Sequence, residues 1–408
     1  MITNMAFQYL TRSLEGPLQA AADGFPAMML TGPRQSGKTT LLKKVFSQSH
    51  TYVSLELPDI REAAESDPRG FLDRHQAPVI FDEVQAAPDL LFYIKGAIDT
   101  HRERKGQYIL SGSQNLLLMQ QGESLAGRTA VLQLLPLSWR EIRRHPDALL
   151  PWQTGWQPAD PLDASEFWRL ALRGGYPELH AEEERDSQSW HAAYVQTYLE
   201  RDVRSLRQVG DLGDFQRFMR LLASRSAQQL NITSLARDLG LAVNTAKAWI
   251  SVLEASHQIL LLRPYAANIG KRLAKTPKVY FTDLGTLCYL VGLRDPLHAA
   301  DGPMAGAIVE TAVVNEVQRS LLHLGQVPWL HYMCTSDKIE VDLLVEWDAG
   351  LIPIEVKASS TPRPVWAKNI HKLRSWIPDL LRDGYAVHLG EERLPISPGV
   401  TALPFGQL

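Results

Sequence analysis

The segment AMMLTGPRQSGKTTLLKKVF, residues 27–46, restricts the fold more than any other stretch of the chain. An apolar run is followed by Gly32-x-x-x-x-Gly37-Lys38-Thr39 and then by a helical pattern, the strand–loop–helix order of a phosphate-binding loop. The spacing has a chemical reason. The glycines let backbone N–H groups wrap the β- and γ-phosphates, Lys38 supplies a point charge to them, and the Thr39 hydroxyl reaches Mg²⁺ at the positive end of the helix. The expected nucleotide-binding residues are therefore Gly32, Pro33, Arg34, Gln35, Ser36, Gly37, Lys38, Thr39 and Thr40, with ATP and Mg²⁺ as the bound species.

Two further strands are predicted to end beside this loop. APVIFDEVQ carries Asp82 and Glu83 at the C-terminal end of an apolar run, where α/β sheets bind ligands. Asp82 suits the metal shell and Glu83 suits a general base that polarises the attacking water. QYILSGSQN ends in Ser111, Ser113, Gln114 and Asn115, groups suited to sensing the γ-phosphate or orienting water. In ESLAGRTAVLQ, Arg128 is the first candidate for an arginine supplied in trans, with Arg201 and Asp202 behind it. A surface arginine without catalytic duty is the competing reading.

Residues 141–215 show helical periodicity and are read as a helical lid, and 216–274 as a winged-helix-like module. In NITSLARDLGLAVNTAKAWISVLEASHQILLLRPY two helices flank a turn near Gly240 and an apolar strand follows. Asn244, Thr245, Lys247 and the stretch Lys271 to Lys278 are candidate contacts to a DNA backbone. Docking of protein is the competing reading, because the second helix has a single lysine.

The last unit, 275–408, reads as a helix carrying Glu310 and Glu316, a strand KIEVDLLVEW, a strand LIPIEVKAS, a basic helix and another strand. Alternation places Glu355 and Lys357 on one strand face, and Asp342 on the neighbouring strand can meet them. Asp342 and Glu355 are candidate Mg²⁺ ligands, and Lys357 a group to polarise a metal-bound water.

Taken in order, the phosphate loop, the acidic strand, the polar-ended strand and SLAGR make the chain resemble the bacterial and archaeal AAA-type P-loop ATPases with an uncharacterised C-terminal domain, a group close to the archaeal-type ATPases. The matching positions are Gly32 to Thr39, Asp82 with Glu83 and Gln85, Ser113, and the SLAGR ending at Arg128. RGGYPE at 173–178, YLERDV at 198–203 and the stretch from KTPKVYFTDLG to IEVKAS extend the resemblance nearly end to end. The resemblance implies a ring-like homo-oligomer. It also implies a C-terminal domain of restriction-endonuclease-like, PD-(D/E)xK, fold, whose helix glutamate falls on Glu310 as a further metal ligand, with Glu316 as the substitute.

The fold expected is thus α/β: a P-loop AAA-type ATPase core over 1–140, the helical and winged-helix middle, and an α/β restriction-endonuclease-like domain over 275–408. Bulk properties narrow the setting. A net charge of −3 gives no global pull toward nucleic acid or anionic membrane, so any DNA contact needs a local basic patch. Two cysteines among aliphatic and aromatic neighbours favour reduced thiols, and neither a signal peptide nor a spanning segment is visible, so a cytoplasmic protein without membrane contact is expected. The function expected is an Mg²⁺-dependent ATPase coupled to DNA binding or processing. The alternative is an ATP-regulated oligomeric switch whose nuclease-like domain does not cut.

Overall fold

The computed structural model describes residues 8–112, 125, 127–199, 212–265 and 274–408. Five parallel strands, β1 (Ala27–Thr31), β2 (Thr51–Ser54), β3 (Val79–Asp82), β4 (Tyr108–Gly112) and β5 (Thr129–Gln133), form a sheet in the order β2-β3-β4-β1-β5. β1, β3 and β4 are buried throughout because helices cover both faces, which is why they read as continuous apolar runs rather than alternating ones. On one face the Lys38–Phe46 helix sets Leu41, Leu42 and Phe46 against Leu14, Leu18, Met28 and Leu30. On the other, the Leu90–Thr100 helix buries Leu90, Leu91, Ile94 and Ile98 against Phe81 and Leu110, the spacing of one helix face. Parallel register brings the C-terminal ends of β1, β3, β4 and β5 to a common edge, so Gly32, Asp82, Ser111 and Gln133 gather there.

Helices Ala164–Arg173, Ser187–Tyr194 and Leu212–Ala223 follow, packed around Phe167, Tyr176, Trp190 and Tyr194. Next comes a two-helix unit. Ile232–Leu239 ends at Gly240, whose φ of 69° reverses the chain, and Val243–Ala255 runs on from it. Three short antiparallel strands, β6 (Gln228–Gln229), β7 (Ile259–Leu262) and β8 (Lys278–Phe281), complete the unit in the order β6-β8-β7. The expected boundary at 275 therefore cuts through this sheet: KVYF is wholly buried and its backbone pairs with β7, so it belongs with the two helices rather than with the last unit.

The C-terminal unit begins with the long helix Ala305–His323 and a mixed sheet. Its strands are β9 (Leu330–Cys334), β10 (Glu340–Trp347), β11 (Gly350–Lys357), β12 (Gly384–His388), β13 (Leu394–Ser397) and β14 (Val400–Pro404), in the order β13-β14-β12-β11-β10-β9. β9, β10 and β11 run antiparallel; β11, β12 and β14 run parallel, with helix Lys368–Trp376 between β11 and β12. One apolar core passes through Phe167, Phe215, Trp249, Tyr280, Val313 and Val345, joining the helical, two-helix and C-terminal units without an intervening linker. Cys288 and Cys334 are buried free thiols. Among the described residues no helix is long and apolar enough to cross a membrane.

Candidate functional site

The loop after β1 has the shape its glycines require. A Cβ at Gly32 would collide with the Leu134 carbonyl just beyond β5, and Gly37 begins the helix at φ 93°, in the left-handed region. Lys38 is buried, and its Nζ donates to the Gly32 and Pro33 carbonyls at 3.0 and 2.9 Å, which holds the ammonium inside the loop where phosphates would lie. Asp82 gathers three hydroxyls: Thr39 Oγ1 donates to its Oδ2 at 2.7 Å, Tyr52 donates to the same oxygen at 2.6 Å, and Ser111 donates to Oδ1. Two neighbouring ligands of an octahedral Mg²⁺ stand about 3 Å apart, so Thr39 and Asp82 are spaced as such a pair. The donor set fits the ion. Glu83 follows at φ 56°, a left-handed turn that swings it off the strand axis, and Gln85 donates to its carboxylate.

A cavity of about 500 Å³ adjoins the loop, lined by Tyr9, Leu10, Gln35, Thr40, Pro177 and Glu178 among others. Pro177 and Glu178 belong to RGGYPE, which gives that motif a place at the loop. Arg12, beside the cavity, donates to the Ser36 carbonyl at 2.9 Å and the Leu135 carbonyl at 2.7 Å, and pairs with Glu141 at 3.0 Å. Glu141 is fully enclosed. Burial pushes its carboxyl up, but the charges of Arg12 and His323 outweigh that and hold it well below the usual carboxylate range. Sequence reading missed Tyr52, Arg12 and the 8–12 segment; isolated residues far along the chain carry no periodic or spacing signal.

Arg128 is not brought to this edge. It precedes β5, at the end of the sheet opposite the loop, and its Nε pairs with Asp99 at 2.6 Å. A five-residue strand is about 16 Å long, so Arg128 does not reach the phosphate loop of its own chain. Ser113, Gln114, Asn115, Arg201, Asp202 and Lys271 lie outside the described residues. Asn244 and Lys247 are exposed on the second helix of the two-helix unit. Lys278 is 3% exposed and cannot meet a DNA backbone; its strand is buried and its charge faces inward.

In the C-terminal unit Lys278 Nζ pairs with Glu310 at 2.7 Å and also with Glu340, and Tyr280 donates to Glu310 at 2.7 Å. Lys357 Nζ lies 2.7 Å from Glu355 and 3.9 Å from Asp342, which also accepts the Val356 N–H at 2.8 Å. Burial, then the charge of Asp342, pushes both Glu310 and Glu355 up to about 7. Asp342 is raised by burial too, against the opposing pull of Lys357 and Lys278. The expected residues are thus electrostatically linked, and Glu355 Oε1 is buried with no partner among the described residues. They are not a formed metal centre: among the described residues no three acidic, histidine or cysteine groups gather to hold an ion. Instead, Lys278 pairs with Glu310 and Lys357 with Glu355. Glu316, the substitute, lies elsewhere and caps the Trp139–Ile142 helix, accepting the Trp139 N–H at 2.8 Å.

Three family models match the chain: "AAA domain" over residues 24–143, and two domains of unknown function, DUF8612 over 164–297 and DUF4143 over 305–408. Two curated relatives, uncharacterized protein Rv2008c of Mycobacterium tuberculosis and uncharacterized protein Mb2031c of Mycobacterium bovis, are each 32% identical over 400 residues, covering 97% of this chain and 84% of theirs. Among solved structures, the Walker-type ATPase PABY2304 of Pyrococcus abyssi is 16% identical with a TM-score of 0.47, over 69% of this chain and 96% of its own. A single-substitution variant of RuvB from Thermotoga maritima is 17% identical with a TM-score of 0.29, over 61% and 88%.

Proposed function

Because this chain belongs to the same family as the mycobacterial proteins Rv2008c and Mb2031c and carries an AAA-type P-loop domain, we propose that it binds ATP with Mg²⁺ and hydrolyses it. The observation that carries the reading is the contact of Thr39 with Asp82 beneath the Lys38 loop. In this reading Lys38 exchanges the Gly32 and Pro33 carbonyls for β- and γ-phosphate oxygens, so its interaction is conserved in number while its partners become charged. Thr39 and Asp82 would hold Mg²⁺, which would supply positive charge to offset the charge that develops on the phosphates. Glu83, turned away from the strand by its left-handed backbone, accepts a proton from the attacking water, and the products are ADP and phosphate. The cavity beside Tyr9 and Pro177 supports a seat for the adenine ring. Measuring phosphate release by wild type, Lys38→Ala and Glu83→Gln tests the assignment; equal rates in all three would end it.

The remaining units extend this reading. The helix pair with strands β6 to β8 has the order of a winged helix, and exposed Asn244 and Lys247 support a contact with a DNA backbone. The order of helix, β9, β10, β11, helix and β12, with Asp342, Glu355 and Lys357 on adjoining strands, supports a restriction-endonuclease-like domain. A specific observation favours the second reading, in which that domain docks rather than cuts: each glutamate of the cluster is already paired with a lysine, Glu310 with buried Lys278 and Glu355 with half-buried Lys357. Assembly into a homo-oligomer completes the proposal: Arg128, paired with Asp99 away from its own loop, would then face the loop of a neighbouring chain. Incubating labelled single-stranded and duplex DNA with Mg²⁺ or Mn²⁺, with and without ATP, separates the two. Cleavage abolished by Asp342→Ala would favour processing, and none beside robust ATP turnover would favour the switch.

A further inference from the structure

His257 occupies the turn that leaves the second helix of the two-helix unit, Val243–Ala255, and enters β7. Its φ of 58° is left-handed, a conformation a non-glycine residue holds only where its surroundings impose it. They do so here. Its N–H donates to the Glu254 carbonyl at 3.1 Å, the Thr282 hydroxyl donates to its carbonyl at 2.6 Å, and Gln258 next door donates through its N–H to Leu253 at 2.8 Å. The ring is thereby driven away from its own unit and into the nucleotide domain.

There Gln133 Nε2 lies 2.9 Å from His257 Nδ1. Gln133 ends β5 directly opposite Thr31 of β1, the residue before Gly32, so the imidazole is fastened at the root of the phosphate loop. With the Gln133 amide nitrogen turned toward the ring, Nδ1 accepts and the proton of the neutral ring sits on Nε2. That nitrogen is buried and meets no hydrogen-bond partner among the described residues. Burial first, and then the charge of Lys38, hold the ring at about 4, so it remains a neutral donor at ordinary pH. Buried donors are almost always paired, and one left over beside a phosphate loop points to a ligand that pairs it.

We propose that His257 is a phosphate-binding residue delivered by the two-helix unit: its Nε2–H donates to the β- or γ-phosphate of the nucleotide in the Gly32–Thr40 loop. The position of the Val243–Ala255 helix is thereby tied to the presence of those phosphates. This rests on the ATP reading above and adds to it a route from the loop to a second unit.

The test is the affinity for fluorescent ATP and ADP of wild type, His257→Ala, His257→Gln and Gln133→Ala, each checked for native circular dichroism. A hydrogen bond to a charged group is worth roughly tenfold or more in affinity, so His257→Ala should weaken ATP by about that factor, with ADP weakened equally if the bond goes to the β-phosphate and unchanged if it goes to the γ-phosphate. His257→Gln, which keeps a donor, should recover most of the loss. Gln133→Ala, which leaves the ring but frees its tautomer, should lose about threefold, and serves on its own if His257→Ala does not fold. Unchanged affinity for ATP in His257→Ala or in Gln133→Ala, or equal impairment of the alanine and glutamine variants at 257, would overturn the proposal. Wild type that binds neither nucleotide would end the ATP reading itself, and this proposal with it.

Discussion

Lys278 Nζ, on the middle strand of the two-helix unit, stands 2.7 Å from Glu310 Oε1 on the long helix of the C-terminal unit. The lysine is 3% exposed, so this pair forms away from water and also draws in Glu340. Burial alone would lower its basicity, but Glu310, Asp342 and Glu340 together raise it, so the ammonium stays charged. Removing one partner of such a pair strands the others, at a cost of about 3–5 kcal/mol. Lys278→Met should therefore destabilise by that order, and Lys278→Met with Glu310→Gln by clearly less than the sum of the two. Urea unfolding monitored by circular dichroism gives both values.

The pH dependence follows from Glu355. Its folded pKa, pushed up by burial and by Asp342 to about 7, lies above the ordinary carboxylate range, so the folded state binds the proton more tightly than the unfolded chain. Its contribution is most favourable at low pH and is lost progressively as pH rises through the interval from about 4.3 to about 7. Glu355→Gln removes this loss. Melting temperatures across that interval should show the variant gaining on wild type as pH rises and a constant difference above it.

At the nucleotide loop, Glu83→Gln should cut ATP turnover by about 10²-fold or more, the share a general base supplies, while fluorescent ATP still binds. Lys38→Ala should lose binding as well, because its ammonium is the buried charge of the loop. Parallel titrations and phosphate-release assays separate the two effects.

Arg128 lies at the far edge of its own sheet, paired with Asp99. If it serves a neighbour, Arg128→Ala alone should bind ATP normally and turn over at least about 10³-fold more slowly. A mixture of Arg128→Ala with Lys38→Ala should regain turnover, since one chain then supplies the loop and the other the arginine. Activity of the mixture no greater than that of its parts would remove Arg128 from the site.

Sequence alone determined the nucleotide domain. Gly32, Gly37, Lys38 and Thr39 act over eight consecutive residues, and Asp82 ends an apolar strand, so their geometry follows from local backbone rules and from the parallel register of buried strands. It also determined the order of elements that sets Asp342 beside β11 and Glu355 on it, because strand alternation is a local property. Only the tertiary structure decided which distant groups answer them. Lys278 reads as one member of a basic stretch until β8 pairs with β7 and carries it inward to Glu310. Arg12 and Glu141 lie 129 residues apart and His257 and Gln133 lie 124 apart, and neither separation leaves a period or a motif. Contacts of that kind arise from packing one unit on another, which depends on the whole core rather than on any segment of it.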